Sequence, residues 1–284
     1  MRGHWVLLAI AVGAAPSAWA ATETQPPSGA ARPQQPNGQQ PGEQEGVIDP
    51  KADAALRRMS DHLGKLRTFR VEATTIDEKV TTDGQKIQEV QESQLTVRRP
   101  NALRVERVSP AGHGLLVYDG RQFGLSNRDK HVYAVTQAPP TIADAVDDVR
   151  ARLHVDAPAG DLIVPNSYAA LLDGTIAGHY IGLEPIGGVM AHHIAVTKKD
   201  TDFQIWIKDG PDAVPLRFVI TTKDQPSQPQ FTAELRNWQE NPSVPASTFS
   251  FTTPPGAKRI SPTETQQQGQ QGMQGMQPQR EEQR

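Results

Sequence analysis

The sequence predicts an α+β fold: one large, curved antiparallel sheet, an incomplete β-barrel, with two or three helices covering its concave side. Three observations carry this expectation. Most of the chain alternates apolar and polar residues with a period of two, the pattern of half-buried strands. The candidate strands succeed one another about every ten residues, across turns rich in Gly, Asp and Asn, as antiparallel hairpins do. Helical periodicity occurs at the start and once in the middle, not between successive strands, so parallel βαβ units are not expected.

The ends stand apart from this pattern. Residues 1–20 have a basic start at Arg2, an apolar run from Trp5 to Ala15, and a small-x-small sequence, Ala18-Trp19-Ala20, before Ala21. This is the form of an export signal cut after Ala20. The apolar run is too short to span a bilayer, and no later stretch is long enough. A periplasmic protein without a transmembrane segment is therefore expected, or else a secreted one. Residues 21–46 are rich in Pro, Gln and Gly, and residues 261–284 in Gln. Neither offers enough apolar surface to offset chain entropy, so a disordered linker and a disordered tail are expected. The folded domain then occupies residues 47–260.

Composition excludes several classes of function. The chain has no cysteine, which removes disulfides, thiol catalysis, cysteine metal sites and lipid attachment to an N-terminal cysteine. Its formal charge is −3, and without Arg2 28 basic residues face 32 acidic ones. No basic stripe is present, so nucleic acid is not an expected partner.

Each element has a local reason. Asp49-Pro50 reads as a helix start, with Asp as cap and Pro at the first position. Ala52, Leu56, Met59, Leu63 and Leu66 follow at helical spacing, and Gly64 frays the end. From Thr68 the period becomes two: Phe69, Val71 and Ala73 alternate with Arg70, Glu72 and Thr74. The pattern continues past an Asp83-Gly84 turn through ESQLTVRR, NALRVERV, GLLVYDG, RQFGLSN and KHVYAVT. Pro139-Pro140 breaks it. Thr141 then caps a second helix with Asp144 as capping-box partner, and Ile142, Val146, Val149 and Leu153 form its stripe. A short helix is expected from Tyr168 to Leu172. Strands resume with TIAGHYIGLEPI, GVMAHHIAVTK, TDFQIWIK, PLRFVITTK and QFTAELRNWQ, and PASTFSFTTPPGA ends the core.

The most chemically suggestive stretch is AHHIAV, with His192 beside His193. Strand neighbours point to opposite faces, so both cannot ligate one metal. His179 on the adjoining strand offers a second ligand, but a zinc site wants three or four. There is no Gly-x-Ser-x-Gly elbow. Asp147 and Asp148 are adjacent on a helix and diverge. Gly112-His113-Gly114 lacks the helix that a phosphate-cradling loop needs. No catalytic residue, metal ligand or cofactor-binding residue is assigned, and a hydrolase is a minor alternative. In IWIKDGPDAVPLRFVI, the charged segment is a turn between two strands, and Pro215 opens a strand where a missing donor does least harm. Trp206 and Trp238 are expected on the outer face or the rim.

The apolar strand faces are the remaining candidate. Phe69, Val71, Leu103, Val105, Leu115, Val117, Phe203, Ile205, Ile207, Leu216, Phe218 and Ile220 form one broad surface if the sheet is continuous. That surface is either a filled core or the lining of a cavity for a lipophilic ligand.

A resemblance bears on the choice. The strand with Trp206-Ile207, the acidic turn and Pro215-Leu216-Arg217 are similar to a hairpin of the LolA-like periplasmic lipoprotein carriers. RRPNALRVE followed by VYDGRQFGLSNRDKHVYAV resembles their central strands. From about Leu56 to Ile260 the chain more closely resembles a family of predicted periplasmic proteins in that superfamily. The shared pieces are TIADAVDDVRARL, HHIAV, DFQIWIKDG, PQFTAELRNW and FSFTTPPGA, in that order. The resemblance implies an incomplete barrel closed by helices around an apolar interior, and a lipophilic small molecule or an acylated protein as partner. The alternative is an envelope sensor or interaction module that grips a protein partner without a lipid. Trimming residues 21–46 and 261–284 is expected to leave the melting temperature unchanged; a drop of many degrees in a thermal scan would make the ends structural.

Overall fold

The structure, a computed structural model, describes residues 47–153 and 157–261. The expected export signal, the linker, residues 262–284 and the Leu153 side chain lie outside the described residues. In chain order the elements are β1 (Val47–Ile48), α1 (Pro50–Lys65), β2 (Thr68–Val80), β3 (Lys86–Arg98), β4 (Ala102–Ser109), β5 (Gly112–Tyr118), β6 (Gln122–Asn127), β7 (Val132–Gln137), α2 (Ile142–Leu153), α3 (Ser167–Leu172), β8 (Thr175–Ile186), β9 (Val189–Lys198), β10 (Thr201–Lys208), β11 (Pro215–Thr222), β12 (Gln230–Glu240) and β13 (Lys258–Arg259).

Among the described residues, thirteen strands form one open sheet in the order β1-β8-β9-β10-β11-β12-β2-β3-β4-β5-β6-β7-β13. Two meanders make it up, β2 to β7 and β8 to β12, with α2 and α3 between them in sequence. The meanders meet where β12 lies antiparallel to β2, with Ala233 opposite Thr75 and Leu235 opposite Ala73. The outermost pairings, β1 with β8 and β13 with β7, are parallel and two residues long on the short strand; neither short strand has a sequence signal.

The helices lie on one face, the inner face. Helix α1 buries Ala52, Ala55, Leu56, Met59 and Leu63 completely. They form a continuous core with Phe69 and Val71 of β2, Ile194 of β9, Ile205 and Ile207 of β10 and Phe218 of β11. Pro50 occupies the first turn as expected, but the Asp49 side chain makes no cap hydrogen bond. Its carboxylate instead accepts from the Tyr180 backbone N–H at 3.2 Å, tying the start of α1 to β8. Gly64 does not end the helix, which continues to Lys65. The α2 start is as the sequence implies: Thr141 Oγ1 accepts from the Asp144 N–H at 3.2 Å and donates to the Asp144 carboxylate at 2.6 Å. Helix α3 is capped by Asn166, whose Oδ1 accepts from the Ala169 N–H at 3.1 Å.

The outer face has its own cover. After β12 the chain makes one 3-10 turn, Ala246–Phe249, and runs on through a turn at Pro255-Gly256 to β13. Arg104 donates to the Thr248 carbonyl at 3.4 Å, and the Arg98 guanidinium sits 4.5 Å from the Phe249 ring centre. The Phe251 ring lies over Gly124, where a Cβ would come within 2.1 Å of it. Gly124 is therefore required by close approach, and Gly124→Ala would displace the strap.

The strap explains a correction. Leu115 and Val117 belong to the outer face, not to the inner apolar surface. Val105 pairs with Leu116 and Leu103 with Tyr118, which puts Leu115 and Val117 level with the outward Glu106 and Arg104. Val117 is buried, and its partner across the β5–β6 ladder is Gly124, the residue under Phe251. Gly-Leu-Leu-Val-Tyr is apolar at consecutive positions, so its alternation does not set the phase; the ladder does.

Leu56→Ala is expected to destabilise the protein by about 2–5 kcal/mol, as a buried leucine truncation that the packed face of α1 cannot refill. Urea denaturation measures this, and a change well under 1 kcal/mol would mean that α1 is dispensable to the core.

Candidate functional site

The inner face is not filled evenly. Under α1 it is dense, whereas under α2 there is an apolar cavity of about 170 Å³. Its floor is β2, β3, β4, β5, β6 and β12. Its roof is Ile142, Ala145, Val146 and Val149 of α2 with residues 157–160 and Ile163. Roughly 150 Å³ of apolar void is enough for a benzene-sized guest. In this conformation the cavity has room for a short length of hydrocarbon.

Small residues create the hollow. Ala73 and Thr75 on β2, Ser93 on β3 and Ala233 on β12 are adjacent in the ladders: Ala73 pairs with Ser93, and Thr75 pairs with both Gln91 and Ala233. Large side chains ring this patch, among them Leu95, Leu103, Val105, Leu116, Phe231 and Leu235. The wall's polar groups are few. Burial pushes the Tyr118 hydroxyl up to about 12, with Asp144 and Asp119 adding to the effect. That hydroxyl donates to the Pro139 carbonyl at 2.6 Å, just before α2. Gln91 and Arg107 also reach the wall.

The roof is also clipped to the loop that follows it. Arg150 of α2 pairs with Asp161 at 2.9 Å and donates to the Ala157 carbonyl at 3.1 Å. Gly160 lies where a Cβ would meet Val146 at 2.9 Å, so a glycine lets the returning loop abut the helix. Helix α1 packs closely on α3, β8 and β10; among the described residues α2 has no strand comparably close beneath it.

Of the surface expected from the sequence, Leu103 and Val105 line this cavity. Phe69, Val71, Phe203, Ile205, Ile207 and Phe218 instead belong to the packed core, and Leu216 and Ile220 pack against it. The correction has a simple cause. Apolar alternation marks which face is buried, but α1 covers that part of the face and fills it. The better signal was the opposite one: inward positions of β2, β3 and β4 where the alternation brings small or polar residues, namely Ala73, Thr75, Gln91, Ser93 and Arg107.

The histidines separate as strand geometry requires. His192 faces inward beside α1, with Tyr180 Oη at 2.9 Å from Nδ1, and Arg58 and Asp209 each at 3.1 Å from Nε2. His193 faces outward and stacks on Trp206, with ring centres 4.0 Å apart. Glu184 holds both rings, 2.9 Å from His193 Nδ1 and accepting from Trp206 Nε1 at 2.8 Å. The Trp206 N–H and the histidine at its side keep the Glu184 carboxyl below its usual range. Trp238 sits at a bulge in β12, its ring 5.6 Å from that of Phe69. Among the described residues, no three His, Asp or Glu side chains gather as a metal site, and no helix is long and apolar enough to cross a membrane.

Fold and cavity together define a domain in which a wide open sheet bears helices on one face over an apolar hollow. The chain belongs to the family described as Predicted periplasmic protein (DUF2092), whose model matches residues 52–261. No curated protein matches it in sequence. Among solved structures it is similar to lipoprotein LppX of Mycobacterium tuberculosis, at 15% identity and a TM-score of 0.45, covering 70% of this chain and 99% of that one. It is similar to LprF of Mycobacterium bovis at 14% identity and 0.43, covering 75% and 100%. It is also similar to a LolA superfamily protein of Nitrosomonas europaea at 11% identity and 0.39, covering 70% and 97%.

The two halves of the inner face should respond oppositely to added bulk. Ile205→Trp overpacks the dense half and is expected to cost about 1–3 kcal/mol. Ser93→Leu places its side chain in the hollow, and its unfolding free energy should stay within about 0.5 kcal/mol of the parent's. Equal, large losses in both variants would show that the hollow is not available space.

Proposed function

We propose that the protein is a periplasmic binding or carrier protein for a lipophilic ligand, such as a lipid or the acyl chain of a lipoprotein. The observation that carries this reading is the apolar cavity between α2 and the small-residue patch of β2, β3 and β12. Apolar cavities of this kind stay dry and accept apolar guests, and ligand sites are typically apolar with few polar groups. The clipped attachment of α2 suits a lid that lifts to admit a chain. The export signal ending at Ala20 would deliver the protein to the compartment that its family description names. No part of this reading needs a catalytic residue.

A second reading, an interaction module for an envelope protein, has one observation in its favour. The β8–β9 hairpin exposes Leu183 and Met190 on the same face of its ladder, with Ile181 and Val189 also exposed nearby in sequence, and exposed apolar side chains that share a face mark association surfaces.

Protein purified gently from its own periplasm should carry a lipophilic guest visible by native mass spectrometry, and the stripped protein should take up a fluorescent acyl probe. Ser93→Phe, which fills the hollow, is expected to abolish uptake with little change in melting temperature. A parent protein that carries no guest and takes up no probe would remove the carrier reading and leave the hairpin surface as the functional one.

A further inference from the structure

Arg107 is the anomaly of the inner face. It follows Leu103 and Val105 at the inward positions of β4, and its ladder partners are Ser93 on β3 and Gly114 on β5. Small residues therefore flank it on both sides, and its side chain forms part of the cavity wall. Three other partly buried arginines have acceptors. Arg99 donates to the carbonyls of Ile163, Leu63 and Val164, Arg150 pairs with Asp161, and Arg217 pairs with Glu234. Among the described residues Arg107 has no carboxylate partner and no hydrogen-bond acceptor. Burial alone brings its pKa down to about 10, which leaves it cationic at neutral pH.

Gln91 compounds the anomaly. It stands two residues along β3 from Ser93, a diagonal neighbour of Arg107 across the β3–β4 ladder. Diagonal partners lie about 7–8 Å apart, within reach of long side chains. Gln91 is 3% exposed, lines the same wall, and its side-chain oxygen has no hydrogen-bond partner. Buried charges are ordinarily paired, and buried amides hydrogen-bonded, because desolvation is otherwise uncompensated. A guanidinium without a protein acceptor among the described residues is thus free to take an anionic partner when a ligand enters the cavity.

We propose that Arg107 and Gln91 form a head-group site, and that the ligand is a single-chain amphiphile whose hydrocarbon lies in the cavity and whose anionic end, a carboxylate or a phosphate, is held by the Arg107 guanidinium. This rests on the reading of the cavity as a lipophilic-ligand site. A guanidinium has five donors and no acceptor, and its planar fork matches two oxygens of a carboxylate or phosphate. The Gln91 side-chain NH2 is a further donor beside it, while the Gln91 oxygen can accept from the guanidinium. The apolar wall strengthens the ionic contact by excluding water, and the narrow hollow has room for one chain rather than several. Tyr118 does not compete for the head group, since its hydroxyl is engaged by the Pro139 carbonyl.

The test is a competition assay on the full-length protein. A neutral fluorescent probe, N-phenyl-1-naphthylamine, is bound first and then displaced by palmitic acid, hexadecyl phosphate or hexadecanol, each below its micelle concentration. The parent protein should bind at least one of the two anions more tightly than hexadecanol; whichever anion is preferred identifies the head group. Arg107→Met should weaken binding of that anion by about 10- to 100-fold, leave the probe and hexadecanol unaffected, and raise the melting temperature of the empty protein. Arg107→Lys should keep part of the preference. Hexadecanol competing as well as both anions against the parent, or a preference that survives Arg107→Met, would overturn the head-group site while leaving the cavity reading intact. Failure of the parent to bind the probe and all three competitors would overturn both.

Discussion

The burial of one side of α1 against β2 and β9–β11 is the interaction on which the rest of the domain depends. Leu56, Met59 and Leu63 are fully buried there with Phe69, Ile205 and Phe218 beneath them. At roughly 1.5–3 kcal/mol for each large apolar side chain removed from water, this cluster alone is worth a large part of a domain's usual net stability. Its position also fixes where the core is not. One 16-residue helix covers only part of a sheet thirteen strands wide, and the uncovered part of the inner face falls to α2, which is shorter. The cavity is the geometric remainder of that mismatch, preserved because Ala73, Thr75, Ser93 and Ala233 are too small to close it.

A second constraint holds the two halves in register. The Arg99 guanidinium reaches the carbonyls of Leu63 at the end of α1 and of Ile163 and Val164 in the loop before α3. One buried cation thereby fixes the end of α1 relative to the loop that forms part of the cavity rim. Its desolvation, which lowers its pKa, is offset in part by three carbonyl contacts, its Nε being left without a partner among the described residues. At the other end of α1, Arg57 bridges Asp53 and Tyr168 and links α1 to α3. Both anchors hold α1 and α3; α2 is tied by Arg150, by its cap at Thr141, by the Ile142 N–H donating to the Pro100 carbonyl at 3.0 Å, and by Ile142, Ala145 and Val146 at the edge of the hollow. The helix over the cavity is held mainly at its two ends, and moving elements are drawn from regions of low local stability.

Arg99 and Arg107 make an instructive pair. Both are guanidiniums taken partly out of water on the inner face. The first spends its donors on backbone carbonyls and serves the fold. The second has no acceptor among the described residues, and the fold gains nothing evident from it. A side chain that departs from local consistency without structural return is the kind of residue that marks a functional site.

Local order was legible in the sequence because it is set by short-range physics. The period-two stretches, the Asp- and Gly-containing turns, the Thr141–Asp144 cap and Pro50 in the first turn of α1 each depend on neighbours a few residues away, and each stands in the structure where the pattern put it. Opposite facing of His192 and His193 follows from strand geometry alone. Other features depend on what the chain meets at long range. The seam between β12 and β2, the phase of Leu115 and Val117, the strap that requires Gly124 and the diversion of the Asp49 carboxylate to β8 have no local signature. The cavity belongs to this second group. Apolar alternation states that a face will be buried, but whether it is filled depends on which helix lies over it, and α1 and α2 are similarly amphipathic in sequence. Only the tertiary structure decided that the sheet is filled under α1 while a hollow remains under α2, because filling is a property of facing volumes summed across elements and not of any one of them.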